Sequence, residues 1–304
     1  MSEDNEASDT NTMQRCASCG TTGGDDIKLK KCTACHPVKY CSVKCQKDHW
    51  SKHKRECKKR AAELKDEILF KQPESSHYGD CPICCLPLPI DHEISGFYTC
   101  CSKRICDGCD LANQKREIEG RLQANCPFCR KALPETEEES MARLIERIEA
   151  NDPFAICEMG TESYHGGDYR TAFEYFTRAV ALGDVHAHYQ LSTMYHAGQG
   201  VEKDKKKWLY HLKEAAIGGH PHARHNLGLM EAGNGQYDRA VKYFIIGAKL
   251  GYEDSLKCVK DLYKDGYVSK EDFAAALRGY KAAVDATRSP QREEAAVFYK
   301  SIGK

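Results

Sequence analysis

At 304 residues the chain can hold two or three domains. Its 45 basic and 45 acidic side chains cancel, so no net field steers it toward nucleic acid or an anionic membrane surface. Sixteen of its 18 cysteines precede residue 130, a clustering in pairs that fits metal binding in a reducing compartment better than a secreted disulfide framework.

Residues 1–15 open with MSEDNEASDT. This stretch is acidic, lacks the apolar segment of a signal peptide and is expected to be a disordered tail. No run approaches the roughly 18 apolar residues of a membrane span, so a soluble intracellular protein, cytoplasmic or nuclear or both, is expected.

Between residues 16 and 57, seven cysteines and one histidine fall in four pairs: Cys16 with Cys19, Cys32 with Cys35, Cys41 with Cys45, and His53 with Cys57. Eight such side chains suit two closed four-ligand zinc sites, structural because no coordination position is left for catalysis. The first two pairs have the gap of knuckles on turns. The last two have an i, i+4 relation, which puts both side chains on one helix face. His36 and His49 are possible competitors that neither site requires. The words CASC, CTACHPVKYCSVKC and HWSKHKREC resemble the MYND zinc finger at every ligand position. That resemblance implies interleaved pairs, with Cys16, Cys19, Cys41 and Cys45 on one zinc and Cys32, Cys35, His53 and Cys57 on the other. Spacing alone leaves the pairing open.

Eight Lys or Arg residues between Lys44 and Arg60 face only Asp48 and Glu56. They form either a patch for nucleic acid or an acidic partner, or cations that offset the negative charge of zinc–thiolate sites. The second reading is preferred. Over residues 58–80, Leu64 and Ile68 continue a helical spacing, and Pro73, Ser75, Ser76 and Gly79 mark a linker.

A second cluster occupies 81–130: Cys81, Cys84, Cys85, Cys100, Cys101, Cys106, Cys109, Cys126 and Cys129. Its words CPIC and CPFCR resemble the first and last ligand pairs of a RING-type cross-brace. The resemblance implies Cys81, Cys84, Cys106 and Cys109 on one zinc, and Cys126 and Cys129 with one or both of Cys100 and Cys101 on the other. The histidine that the pattern places before Cys106 is missing, since Ser102, Lys103, Arg104 and Ile105 stand there. Either Cys100 and Cys101 both bind, or His92 or Cys85 completes the site, or the site never fills, giving one to two zinc ions in this module. Ile83 and Arg130 match positions with which RING ligases contact a ubiquitin-conjugating enzyme. The 110–125 segment has no aromatic residue to enlarge that surface, so a zinc-stapled adaptor is preferred to a ligase.

Residues 131–152 read as an acidic linker, PETEEES, and a helix whose apolar face is Met141, Leu144, Ile145 and Ile148. A repeat then governs residues 153–288. Its core word recurs at Ala172, Tyr175, Phe176, Ala179, Val180 and Gly183, at Trp208, His211, Leu212, Ala215, Ala216 and Gly219, and at Ala240, Tyr243, Phe244, Gly247, Ala248 and Gly251. A weaker copy carries Ala276, Tyr280, Ala283 and Val284. Each copy follows another helical segment, so four hairpins are expected, with glycine ending the second helix of the first three. YHAGQGVEKDKKKWLYHLKEAAIGGH resembles the Sel-like repeat, a relative of the tetratricopeptide repeat, over about Pro153 to Thr287. Residues 289–304 read as a capping helix opened by Ser289 and Pro290. His220, His222 and His225 read as repeat-surface residues, and Cys157 and Cys258 as small buried hydrophobes.

The expected fold class is small zinc-stapled modules plus all-α, two zinc-binding modules followed by an α-solenoid of helical hairpins. The expected function is an interaction scaffold that binds proteins through the zinc modules and the concave face of the repeats. The alternative is a RING-type ubiquitin ligase recruiting substrates through its repeats. Some MYND proteins carry a methyltransferase domain, for which the roughly 80 residues of finger and helix before the second cluster leave no room.

Overall fold

Aspartate and serine before apolar-periodic stretches are helix start signals, and the computed structural model shows them at work in the chain's second half. The structure describes residues 15–24, 26–91 and 94–303. The tail expected over 1–15 therefore lies, except for its last residue, outside the described residues. The chain divides into two compact units, Met1–Leu69 and Phe70–Lys304.

In the first unit β1 (Lys30–Lys31) pairs antiparallel with β2 (Lys39–Tyr40), and α1 (Val43–Leu69) follows. Its buried cluster is Cys16, Cys32, Cys35, Tyr40 and Cys57, with Leu29, Val38, Cys41 and Cys45 packed against it. So little apolar surface cannot by itself offset the entropy of ordering the chain. The last turns of α1 project past the cysteines, where Arg60 pairs with Glu63 and Glu67. These ion pairs are solvent-exposed and contribute little.

The second unit begins with a segment that the sequence suggests is linker and that instead lies along the repeats. Phe70 packs on Tyr243 with ring centroids 4.7 Å apart, Arg224 donates to the carbonyl of Lys71 at 3.4 Å, and His77 donates its backbone N–H to Gly219 at 3.2 Å. The second cysteine module contributes the hairpin β3 (Ser95–Tyr98) and β4 (Lys103–Cys106), paired Ser95 to Cys106, and then α2 (Asp107–Gly120).

The acidic stretch expected as linker is the first turn of α3 (Glu137–Glu149), capped by the Thr136 hydroxyl. Glutamates there favour the positive end of the helix dipole. Leu144 and Ile148 enter the core of the first hairpin, while Met141 and Ile145 stay exposed.

Four hairpins follow: α4 (Pro153–His165) with α5 (Tyr169–Ala181), α6 (Val185–Ala197) with α7 (Lys205–Ile217), α8 (Pro221–Gly233) with α9 (Tyr237–Lys249), and α10 (Glu253–Lys264) with α11 (Lys270–Ala286). Asp152, Asp168, Asp184 and Asp204 cap four of these helices with their carboxylates. Gly183, Gly219 and Gly251 take left-handed φ of 90°, 86° and 93° just past α5, α7 and α9, the helix-ending geometry that favours glycine. Phe176 and Phe244 are buried at the hairpin centres, each against a glycine of the preceding helix.

The last helix, α12 (Pro290–Ser301), does not extend the repeat stacking as a cap. It packs on α2 of the cysteine module, where Leu111, Ala295 and Tyr299 form a small buried cluster. The sequence shows its start signals but not its destination.

A Cβ at Gly228 would sit 2.6 Å from the Phe244 ring, so Gly228→Ala overpacks the third hairpin. The expected loss is about 1–3 kcal/mol, measured as a lower urea midpoint of the full chain. An unchanged midpoint would contradict this packing.

Candidate metal centres

Four of the five two-residue-gap pairs, all but Cys106 with Cys109, share one backbone device. In each, the first cysteine's N–H donates to a carbonyl five or six residues on, and the N–H of the residue four places on donates back to the cysteine's carbonyl. The forward bonds are Cys16 to Thr21, Cys32 to Val38, Cys81 to Leu86 and Cys126 to Lys131. The return bonds come from Gly20, His36, Cys85 and Arg130. Those four residues all take positive φ, at 76°, 65°, 56° and 64°. Cys85 and His36 thus occupy turn positions and belong to none of the metal-type clusters among the described residues. His92, the other residue considered as a completing ligand, lies outside the described residues.

The ligand atoms gather in four tetrads, each with its atoms within 4.8 Å of one another: Cys16, Cys19, Cys41 and Cys45; Cys32, Cys35, His53 and Cys57; Cys81, Cys84, Cys106 and Cys109; Cys100, Cys101, Cys126 and Cys129. Helix α1 supplies Cys45 to the first tetrad from its first turn and, two turns on, His53 and Cys57 to the second from adjacent turns. The β3–β4 turn, with Ser102 at φ 52°, brings adjacent Cys100 and Cys101 to one tetrad.

Sulfur–sulfur separations are 3.5 Å for Cys19–Cys41, 3.7 Å for Cys32–Cys57, 3.8 Å for Cys84–Cys106 and 3.8 Å for Cys101–Cys126. A tetrahedral zinc with sulfur at about 2.3 Å sets neighbouring sulfurs about 3.8 Å apart. A disulfide requires about 2.05 Å, and all 18 cysteines are free. The donor sets fit zinc and suggest zinc binding.

Electrostatics points the same way. Burial opposes ionisation of Cys16, but the N–H groups of Cys19 and Cys41 outweigh it and lower its pKa to about 6. Cys41, facing the sulfurs of Cys19 and Cys45, is pushed up to about 12. In the third tetrad Cys106 donates to Cys81 and lowers it to about 4, while its own pKa is raised by the same contact. Without a cation, thiolates cannot all form at one site; a divalent metal removes the repulsion.

His77, His186 and His220 also meet, but their geometry differs. His77 lies on His220 with centroids 4.1 Å apart and planes 21° from parallel, whereas imidazole lone pairs lie in the ring plane and cannot converge from stacked faces. Ala223 N–H donates to His220 Nδ1 at 3.4 Å, so neutral His220 carries its proton on Nε2, which lies 3.1 Å from His186 Nδ1. Burial holds His77 and His220 well below the usual histidine pKa. The cluster is a neutral aromatic clasp that fixes residues 70–80 to the repeats. The surface position expected for His220 is corrected: it is buried, while His222 and His225 are half-buried. Cys157 is likewise buried and its thiol raised by that burial, which leaves it inert.

Ile83 remains 40% exposed, and Phe128 44%. Arg130, at its left-handed turn position, donates to Asn113 Oδ1 at 2.9 Å. No sequence signal marks Arg292, whose guanidinium reaches Cys84 Sγ at 3.3 Å from across the chain.

Residues 16–57 match the MYND finger family, and residues 153–184, 185–220 and 221–252 match the Sel1 repeat. The chain is 61% identical over 31 residues to the human histone-lysine N-methyltransferase SMYD3, covering 10% of this chain and 7% of that protein. The likeness to SMYD methyltransferases is at the finger. It is 24% identical over 203 residues to the mouse DAP3-binding cell death enhancer 1, covering 54% of this chain and 39% of the relative. The chain thus spans well under half the length of these relatives. Among solved structures, a Sel1 repeat protein from Oxalobacter formigenes is 22% identical with a TM-score of 0.43, covering 59% of this chain and 72% of that one. An SLR-fold protective antigen of uropathogenic Escherichia coli is 29% identical with a TM-score of 0.41, covering 49% and 33%. The chain carries a MYND zinc finger and Sel1 repeats, with a RING-like arrangement of cysteines between them. No helix among the described residues is long and apolar enough to cross a membrane.

Replacing Cys85 by glycine, the residue its turn favours, should leave the metal content of the purified protein unchanged, whereas Cys101→Ala should lower it. Equal loss from both, measured by elemental analysis, would make Cys85 a ligand.

Proposed function

We propose that the protein is a zinc-stapled interaction scaffold. The observation that carries this reading is the closure of the cysteine sites. Each tetrad supplies four protein ligands and leaves zinc no open position for substrate or water. The finger holds two zinc ions through Cys16, Cys19, Cys41 and Cys45 and through Cys32, Cys35, His53 and Cys57. The second module holds two more, the second through both Cys100 and Cys101. The MYND finger and the Sel1 repeats are protein-interaction modules, and partners bind the finger and the concave repeat face separately. A cleft of about 410 Å³ in the second unit is lined by Pro73, Leu88, Ile90, Leu250, Ala283 and Val284 among others and offers apolar contact surface.

The ligase reading rests on the exposed Ile83 and on Arg130. Both have structural explanations, a knuckle-turn position and the bond to Asn113. With a panel of ubiquitin-conjugating enzymes the wild type should build no ubiquitin chains. Robust chain formation lost in Ile83→Ala, with zinc content unchanged, would overturn the scaffold reading in favour of the enzyme. Elemental analysis should find close to four zinc ions per chain, and Cys32→Ala should remove one and unfold the finger. Fewer than two in the isolated finger would contradict the assignment.

A further inference from the structure

Helix α12 meets the second cysteine module at its metal-ligand sulfur. Arg292, in the first turn of α12, donates to the carbonyls of Pro87 at 2.7 Å, Thr287 at 2.8 Å and Leu86 at 3.1 Å, and to Cys84 Sγ at 3.3 Å. The Leu86 carbonyl also accepts the knuckle bond from Cys81 N–H at 2.9 Å. One guanidinium therefore touches both the sulfur and the backbone turn that aims it. The approach is close: a Cβ on Gly108, two residues past Cys106, would come within 2.8 Å of the Arg292 backbone nitrogen. Farther along, the Tyr299 hydroxyl donates to Asp110 at 3.2 Å and accepts from Gln114 at 3.2 Å, and Lys115 pairs with Glu294 at 2.6 Å.

A four-thiolate zinc site carries a net charge near −2. A cation on one of its sulfurs offsets that charge, and groups that hold metal ligands in place raise metal affinity. We infer that Arg292 is a positioning residue of the Cys81, Cys84, Cys106 and Cys109 centre, and that docking of α12 is linked to occupancy of that centre by zinc. By thermodynamic reciprocity, whatever the docked helix adds to zinc affinity, zinc adds to docking of the helix. Loss of zinc frees the Cys84 sulfur that faces Arg292 and loosens the knuckle carbonyls of Leu86 and Pro87 that hold its guanidinium. The end of the chain is then released from α2, so the C-terminal helix reports the metal state of a site that begins at Cys81.

This inference rests on the zinc assignment, and the test separates the two. Zinc-loaded full-length protein is titrated with a competing chelator while released zinc is followed with a metal indicator, for the wild type, Arg292→Ala, Arg292→Lys and the neighbouring Arg288→Ala. In Arg292→Ala one zinc equivalent should transfer about 10- to 100-fold more readily while the rest compete as in the wild type. Arg292→Lys should fall between, and Arg288→Ala should match the wild type. If Arg292→Ala does not fold, Tyr299→Ala loosens α12 away from the cluster and should weaken the same equivalent. Wild-type behaviour of Arg292→Ala, or of Tyr299→Ala in its place, overturns the linkage. Unchanged zinc content in Cys84→Ala overturns the zinc assignment itself, and the linkage with it.

Discussion

Four sulfurs held within van der Waals reach of one another cannot all be anionic unless a cation lies among them, and this constraint organises the front of the molecule. Among the described residues, the first unit has a buried cluster made of Cys16, Cys32, Cys35 and Cys57 with Tyr40. Metal binding energy is then folding energy. Knuckle turns with positive φ, the turns of α1, the β3–β4 turn and the β4–α2 junction are the devices with which this chain aims sulfur and nitrogen at one point.

The repeats obey different physics. Their helices are capped by aspartates, ended by left-handed glycines and packed through buried alanine, phenylalanine and leucine, so each hairpin is held by its neighbours. The second cysteine module is not separate from them. Residues 70–80 run from the end of α1 along the repeats through Phe70 and His77, Arg104 of β4 pairs with Glu158 of α4 at 2.9 Å, and α12 returns to α2. Three segments distant in sequence thus join the cysteine module and the apolar-held repeats in one compact unit.

Local rules in the sequence reveal much of this. Ligand types, the i, i+4 pair His53 and Cys57 of α1, repeat spacing and the glycines after α5, α7 and α9 follow from short-range backbone and coordination geometry, whereas Cys41 lies just before α1 and only its partner Cys45 is helical. The grouping of Cys100 with Cys101 stays open in sequence, because it depends on a turn at Ser102 that lets adjacent residues face one site. Cys85 is ambiguous for the opposite reason: its residue type suggests a ligand while its backbone position is dictated by the knuckle. The roles of His77, His220 and Arg292 are invisible, since each depends on contacts between segments far apart in the chain, which spacing and periodicity do not encode. The acidic stretch before α3 reads as linker by composition, yet Thr136 caps it and the helix dipole accommodates its glutamates.

The central claim is that a metal, and not apolar packing, holds the cysteine modules, while the repeats stand on their own contacts. Amide hydrogen exchange of the full chain, with and without a strong chelator, tests it most directly. Chelation should deprotect the knuckle turns, the β3–β4 hairpin and α12, and leave the central helices α5 to α9 protected. Loss of protection throughout the repeats at the same chelator concentration, or no change at the knuckles, would contradict it.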